Sequence, residues 1–179
     1  MGDALRRLFL SVGIALGLAE GRPDPALHAR VFQDQGYVWV NARVEGAFVP
    51  EALELVQTGS KVALRFDARI AARSGSGDRA ASTRSVRYDM RASRYVVDFL
   101  EEGKSSSLID PSSATGLVSE AGGLRLCPIE ALGQGGKIAV SASVGIIDSS
   151  GAWRDAPVLW NYAALEAAFA FGSPEEVPR

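Results

Sequence analysis

The sequence has a single histidine, His28, and a single cysteine, Cys127. A structural zinc site takes about four Cys or His ligands, and a Ser-His or Cys-His pair needs a histidine beside the nucleophile. We therefore expect no metal site, no nucleophilic pair of this kind and no cofactor. A lone cysteine cannot form an internal disulfide, so Cys127 is interpreted as a small buried residue and His28 as a solvated one.

A basic excess is also lacking. The chain has 19 Lys and Arg residues against 21 Asp and Glu residues, which gives a net charge of −2. Proteins that bind nucleic acid carry clustered positive charge, so we expect no nucleic-acid partner. The longest apolar run, residues 8–18, is shorter than the roughly 20 residues that cross a bilayer, so the mature form should have no transmembrane helix.

The N-terminal segment has the layout of a cleavable secretory signal. Arg6 and Arg7 precede the short apolar run, and small residues at Gly17 and Ala19 fit a cleavage site after Ala19. An amphipathic N-terminal helix is the alternative. We expect residues 1–19 to be a signal peptide and the mature protein to be exported to the periplasm.

Alternation of apolar and polar residues predicts an α+β fold, mainly an antiparallel β-sheet of about five to six strands with short helices packed on one face. The single domain is expected at 37–172, after a tether at 20–36 and before a disordered tail at 173–179. The predicted segments, in chain order, are strands at 37–45, 61–73, 84–90, 94–100 and 137–147, helices at 50–56, 115–126 and 128–132, and loops at 74–78 and 101–115. Residues 159–171 fit either a helix or a strand.

Two segments, 65–69 and 87–91, share a pattern in which charged residues alternate with apolar ones. We expect them to pair as a hairpin whose solvent face carries the charges, shifted so that Asp67 lies opposite Arg87 or Arg91, because like charges destabilise when directly opposed. A solvated sheet face is the simplest interpretation, and docking of an anionic group or an acidic partner is the functional one. The candidate binding residues are Arg65, Asp67, Arg69, Arg87, Asp89 and Arg91.

Other possible sites have weaker support. The glycine-rich loop at 133–137 resembles a phosphate loop, but its glycine spacing is wrong and Ile138 stands where Ser or Thr is needed. Acidic residues near strand ends could form a carboxylate pair, although solvated loop acids are the simpler interpretation; they are Asp98, Glu101, Glu102, Asp148 and Asp155. The three tryptophans, Trp39, Trp153 and Trp160, are interpreted as packing residues rather than a sugar platform.

Several stretches resemble a family of exported bacterial proteins of unknown function, domain of unknown function 4390. The resemblance rests on the strand at 38–48, the helix at 50–54, the long strand at 59–69, the tyrosine-containing pair at 86–97 and the short helix at 127–133. It implies an envelope-localised domain and supplies no catalytic residues.

Three functional hypotheses remain. The first is a non-enzymatic envelope domain that binds a protein partner or an anionic envelope component through its sheet face. The second is a carrier of a hydrophobic or lipid ligand in an apolar cavity, and the third is a carboxylate-dependent hydrolase.

Overall fold

The computed structural model describes residues 24–71, 78–132, 137–156, 159–160 and 164–170. The predicted signal peptide, most of the loop at 74–78, the glycine-rich loop at 133–136 and the predicted tail lie outside the described residues. The described strands are β1 Ala26–Asp34, β2 Tyr37–Glu45, β3 Lys61–Ala71, β4 Arg79–Asp89, β5 Arg94–Phe99, β6 Lys104–Leu108, β7 Glu120–Pro128, β8 Lys137–Ile147, β9 Trp153–Asp155 and β10 Leu165–Ala170. The described helices are α1 Pro50–Gln57, α2 Pro111–Val118 and α3 Ile129–Leu132.

These strands form two sheets whose pairs are all antiparallel. The larger sheet has seven strands in the order β10-β8-β3-β4-β5-β6, with β9 added to β8, and the smaller has three in the order β1-β2-β7. The prediction of a mainly antiparallel fold with short helices is confirmed. The expected number of five to six strands is wrong, because segments assigned to the tether and to loops also form strands.

The side-chain alternation of the strands places the core between the two sheets. On β3, Val62, Leu64 and Phe66 are fully buried and define the inner face of the larger sheet, while Arg65 and Asp67 lie on its outer face. The smaller sheet packs over this inner face, and α1 and α2 cover the part of it that belongs to β3, β4 and β5. None of the described helices is long and apolar enough to span a membrane.

The predicted tether at 20–36 is wrong over most of its length, because β1 occupies Ala26–Asp34 and pairs with β2 along its whole extent. Leu27, Ala29 and Val31 alternate with exposed residues and pack against the core. The nearby prolines suggested an irregular segment, but Pro25 directly precedes the strand and leaves its hydrogen bonds intact.

The segment between β5 and β8 also differs from the prediction. The expected loop at 101–115 contains β6, and the expected helix at 115–126 is instead the end of α2 followed by β7. Helix α2 begins earlier because the Asp110 carboxylate caps it, accepting the Ser113 backbone N–H at 2.7 Å, and Pro111 occupies its first turn. The short helix predicted at 128–132 is confirmed as α3, and residues 165–170 form a strand rather than a helix.

Candidate functional site

The first of the two charged segments lies on the outer face of the larger sheet. The Arg65 guanidinium lies 4.6 Å from the centroid of the Trp153 ring. The Asp67 carboxylate accepts a hydrogen bond from Arg79 Nε at 2.8 Å, and Arg69 stands directly opposite Arg79. Arg69 also lines a shallow outer groove of about 150 Å³ together with Glu166.

The second charged segment lies at the other end of β4. Arg87 Nη1 is 3.9 Å from Asp89 Oδ2, and the Asp89 carboxylate accepts the backbone N–H groups of Ala92 and Arg91. These two backbone hydrogen bonds, with Ala92 contributing most, lower the pKa of Asp89. Asp89 therefore helps to fix the turn between β4 and β5, in which Arg91 is exposed.

The structure does not bring the two segments together. Asp67 pairs with Ala81, so the predicted register, with Asp67 opposite Arg87 or Arg91, is wrong. The nearest members of the two segments are Arg65, whose partner on β4 is Thr83, and Arg87, four positions further along that strand, which corresponds to about 13 Å. The candidate residues on the strands therefore share the outer face but form two groups along it, and Arg91 lies in the turn beyond them.

A groove opens beside the second group, on the inner side of the larger sheet. Tyr88 and Tyr95 are direct neighbours on β4 and β5, and their ring centroids are 5.0 Å apart. The groove is open to solvent and has a volume of about 450 Å³, between the end of α1 and the start of α2. We call it the tyrosine groove and define it by its lining residues Gln57, Tyr88, Ser93, Tyr95, Ile109 and Pro111.

Two large apolar side chains are exposed at this end of the molecule. Ile109 lines the groove and is 79 % exposed, and Met90, in the same turn as Ser93, is 68 % exposed. The turn and its flanking strand ends supply a second group of residues, the arginine rim, defined as Arg87, Arg91 and Arg94. Arg87 and Arg94 alternate with Tyr88 and Tyr95 and therefore face the outer side of the sheet, whereas Arg91 lies in the turn itself. Neither Arg91 nor Arg94 forms an ion pair with a carboxylate in the described part of the chain, and Asp89 is engaged by the turn.

The acids considered for hydrolysis are all bonded within the fold. Asp98 is 2.8 Å from Lys61 and accepts the Ser105 hydroxyl at 2.6 Å. Burial alone would raise the pKa of Asp98, but the hydrogen bonds from Lys61 and Ser105 outweigh it and lower that pKa. Glu101 accepts the Thr83 backbone N–H at 2.6 Å.

The remaining acids have similar roles. The Glu102 carboxylate lies 3.0 Å from the Lys104 ammonium. Asp148 accepts hydrogen bonds from the Ser150 hydroxyl and the backbone N–H of Ala152, which lower its pKa to about 2. Asp155 accepts the indole N–H of Trp153 at 2.6 Å. These contacts give no support to the hypothesis of a carboxylate-dependent hydrolase.

The tryptophans and the cysteine occupy different environments. Trp160 is buried, whereas Trp153 covers Gly145 on the outer face of the larger sheet and Trp39 is half-buried on the outer face of the smaller one. Cys127 is buried, and this burial raises the pKa of its thiol. Within the described ranges, no three His, Cys, Asp or Glu side chains are grouped so that they could hold a metal ion.

Sequence reasoning missed the tyrosine groove, although a signal for it was present. The segments 87–89 and 94–96 each have a central tyrosine and flank a four-residue turn. A hairpin closed by that turn places Tyr88 directly opposite Tyr95. The sequence interpretation paired the segment at 87–91 with the segment at 65–69, whereas in the structure it pairs with the nearer strand β5.

Comparison with known proteins adds no assignment to this geometry. No family model matches the chain, and neither a curated protein nor a solved structure is significantly similar to it.

Proposed function

We propose that this protein is an exported, non-enzymatic domain of the bacterial envelope that binds a protein partner through the tyrosine groove and the arginine rim. The observation that carries the proposal is the exposed apolar side chain of Ile109 in the lining of a groove with an aromatic floor, with a second exposed apolar side chain, Met90, in the turn that contributes Ser93 to that lining. Protein interfaces are enriched in Tyr, Met and Arg, and all three residue types lie at this end of the larger sheet.

The arginine rim indicates the chemistry of the partner. Arg91 and Arg94 are exposed, and the carboxylate nearest to them in sequence, Asp89, is engaged in the turn. A complementary partner fills the groove with a bulky apolar side chain and carries acidic residues where it continues past the turn to the outer side of the sheet. The outer face around Asp67 supports the binding of an anionic component less well, because Arg79 already neutralises that carboxylate and Arg65 is stacked on Trp153.

Site-specific photocrosslinking in the native host tests the proposal. A photoreactive amino acid replaces Ile109 in the groove or, as a matched control, the exposed Ala81 opposite Asp67 on the outer face. We expect a discrete protein adduct from position 109 that disappears when Arg91→Glu and Arg94→Glu are combined. Absence of an adduct at 109, or an equal adduct at 81, contradicts the proposal.

A second candidate function is the binding of a small apolar ligand in the same groove. The volume of about 450 Å³ lies within the roughly 300–1,000 Å³ typical of ligand pockets, and the groove lies between two helices. Native mass spectrometry of the exported protein decides between the candidates. A co-purifying lipid-sized mass that is lost with Tyr95→Ala favours the ligand, whereas a protein without added mass favours the partner.

Export itself is tested with the first 19 residues. We expect these residues, fused to a reporter enzyme that folds only outside the cytoplasm, to activate that reporter, and we expect the mature protein to begin at Glu20. An inactive reporter and an intact N-terminus contradict this part of the proposal and leave the groove experiment unaffected.

A further inference from the structure

Strand β6 is an edge of the larger sheet that has no proline, no bulge and no described strand over it, although it is short and begins with Lys104. It pairs with β5 in a regular register, and no described strand pairs with its other side. Natural edge strands are blocked by charges, prolines, bulges or a covering element. The central residues of β6 are three serines, and the ammonium of Lys104 is held 3.0 Å from Glu102.

The opposite edge of the same sheet is different. Strand β10 pairs with β8, and β1 of the smaller sheet packs beside it. The free edge of the smaller sheet at β7 lies against β4 and β3. Apart from the three-residue β9, strand β6 is therefore the described edge that remains open to another strand.

We infer that a second copy of this chain pairs with β6, antiparallel and across a two-fold axis at Ser106. The segment is complementary to itself in that arrangement, because Ser106 meets its own copy and Ser105 meets Ser107. Lys104 then lies opposite Leu108, so its methylene groups contact an apolar side chain and no like charges are directly opposed.

Helix α2 leaves room for this pairing. It packs on the inner face mainly over β5 and β4 rather than beyond β6. Across the joined edges, β5 of one copy is three strand spacings from β5 of the other, about 14 Å. Packed helices need about 8–10 Å between axes, so the two copies of α2 do not collide.

The dimer is expected to be weak. Five residues on each side are far fewer than the roughly 20–30 that a stable interface uses, so we expect a dissociation constant on the order of 10⁻⁴ M. Because β6 leads directly to Ile109, the joined sheet carries one tyrosine groove beyond each end of the paired edges. A partner with two suitable segments is then bound with avidity.

Sedimentation equilibrium of the purified protein up to about 1 mM tests the inference, together with amide hydrogen exchange. We expect concentration-dependent dimerisation and added protection at every second amide of Lys104–Leu108, since only alternate N–H groups of an edge strand point outward. Ser106→Lys opposes two lysines at the axis and should abolish the dimer, while Gln33→Lys adds the same charge at an exposed position of β1 and should not.

Two results overturn the inference. One is a monomer throughout the concentration range with unchanged exchange in β6. The other is a dimer that persists in Ser106→Lys, measured on a variant whose circular dichroism and unfolding midpoint match those of the unmodified protein.

Discussion

At the scale of single residues, Gly145 is the position where the structure most clearly requires glycine. A Cβ atom at this position would lie 2.5–2.7 Å from the Trp153 ring and the Arg154 carbonyl oxygen. We expect Gly145→Ala to destabilise the protein by about 1–3 kcal/mol in urea unfolding, because Trp153 must leave its place on the sheet.

Gly116 provides the matched control for this prediction. A Cβ there meets nothing within 4 Å, and the residue lies in the middle of α2. Gly116→Ala should therefore stabilise the protein by about 0.5–1 kcal/mol. A Gly145→Ala protein as stable as the unmodified one would show that the packing of Trp153 on the sheet does not require glycine at position 145.

Asp148 gives a prediction about pH at the same scale. The Ser150 hydroxyl and the Ala152 N–H hold its pKa at about 2, below the ordinary value of 3.8. A lowered folded-state pKa adds stability that is complete above the unfolded-state pKa of about 4 and is lost as pH falls toward 2.

We expect the stability difference between the unmodified protein and Asp148→Asn to be largest above about pH 4 and to shrink toward pH 2. Urea midpoints of both proteins across this range measure the difference, so the titration of other acids cancels. A difference that stays constant with pH contradicts the assignment.

At the scale of elements, Arg84 joins helix α2 to the larger sheet. It lies on the inner face of β4, its guanidinium is 5.0 Å from the Phe99 ring centroid, and Nη1 donates to the Leu117 carbonyl at 3.0 Å. That carbonyl is one of the last four of the helix, which lack partners within it. Burial lowers the pKa of Arg84, while nearby glutamates, first among them Glu102, oppose this shift.

We expect Arg84→Met to keep most of the packing but to lose the helix contact, at a cost of about 1 kcal/mol. Amide exchange should accelerate in α2 more than in β3, because the loss is local. Lys104→Met, which also removes one positive charge, is the control and should leave exchange in α2 unchanged. Equal acceleration throughout the protein in Arg84→Met would indicate a general loss of stability instead.

The elements also show which parts of the fold follow from the sequence. Strands β2, β3 and β8 were predicted close to their observed bounds, because each buries one face and therefore alternates clearly. The register between β3 and β4 was not predicted correctly. Strand β4 begins at Arg79, earlier than expected, and the position of the connection between the strands sets which residues pair. Charge alternation within each strand is compatible with several registers and selects none.

The loop prediction at 101–115 failed for a different reason. Serines were treated as a sign of irregular structure, but on the edge strand β6 small polar side chains face solvent and neighbouring polar groups, such as Asp98 beside Ser105. Similarly, Gly122 and Gly123 were interpreted as the end of a helix. They lie in β7, where the Gly123 N–H bonds to Asn41 Oδ1 at 2.7 Å near a register shift.

At the scale of the whole molecule, the candidate site depends on contacts that sequence patterns do not contain. The tyrosine groove is formed where a hairpin, the end of α1 and the start of α2 meet, and Gln57 and Pro111 are far apart in sequence. The arginine rim was partly predicted through Arg87 and Arg91. Its separation from Arg65 and Asp67 could be established only once the register was known.

Trp160 connects the two layers of the molecule and gives the final prediction. It lies between β9 and β10, is 1 % exposed, and donates its indole N–H to the Ala47 carbonyl, between β2 and α1, at 2.8 Å. Trp160→Phe removes that donor, leaves a buried carbonyl without its partner and creates a small cavity, so we expect a loss of about 2–3 kcal/mol. Trp153→Phe, which changes a half-buried ring whose N–H bonds at the surface, should cost about 1 kcal/mol or less. Urea unfolding followed by circular dichroism compares the two variants. Equal losses would mean that the bond between the layers contributes no more than a contact on the outer face.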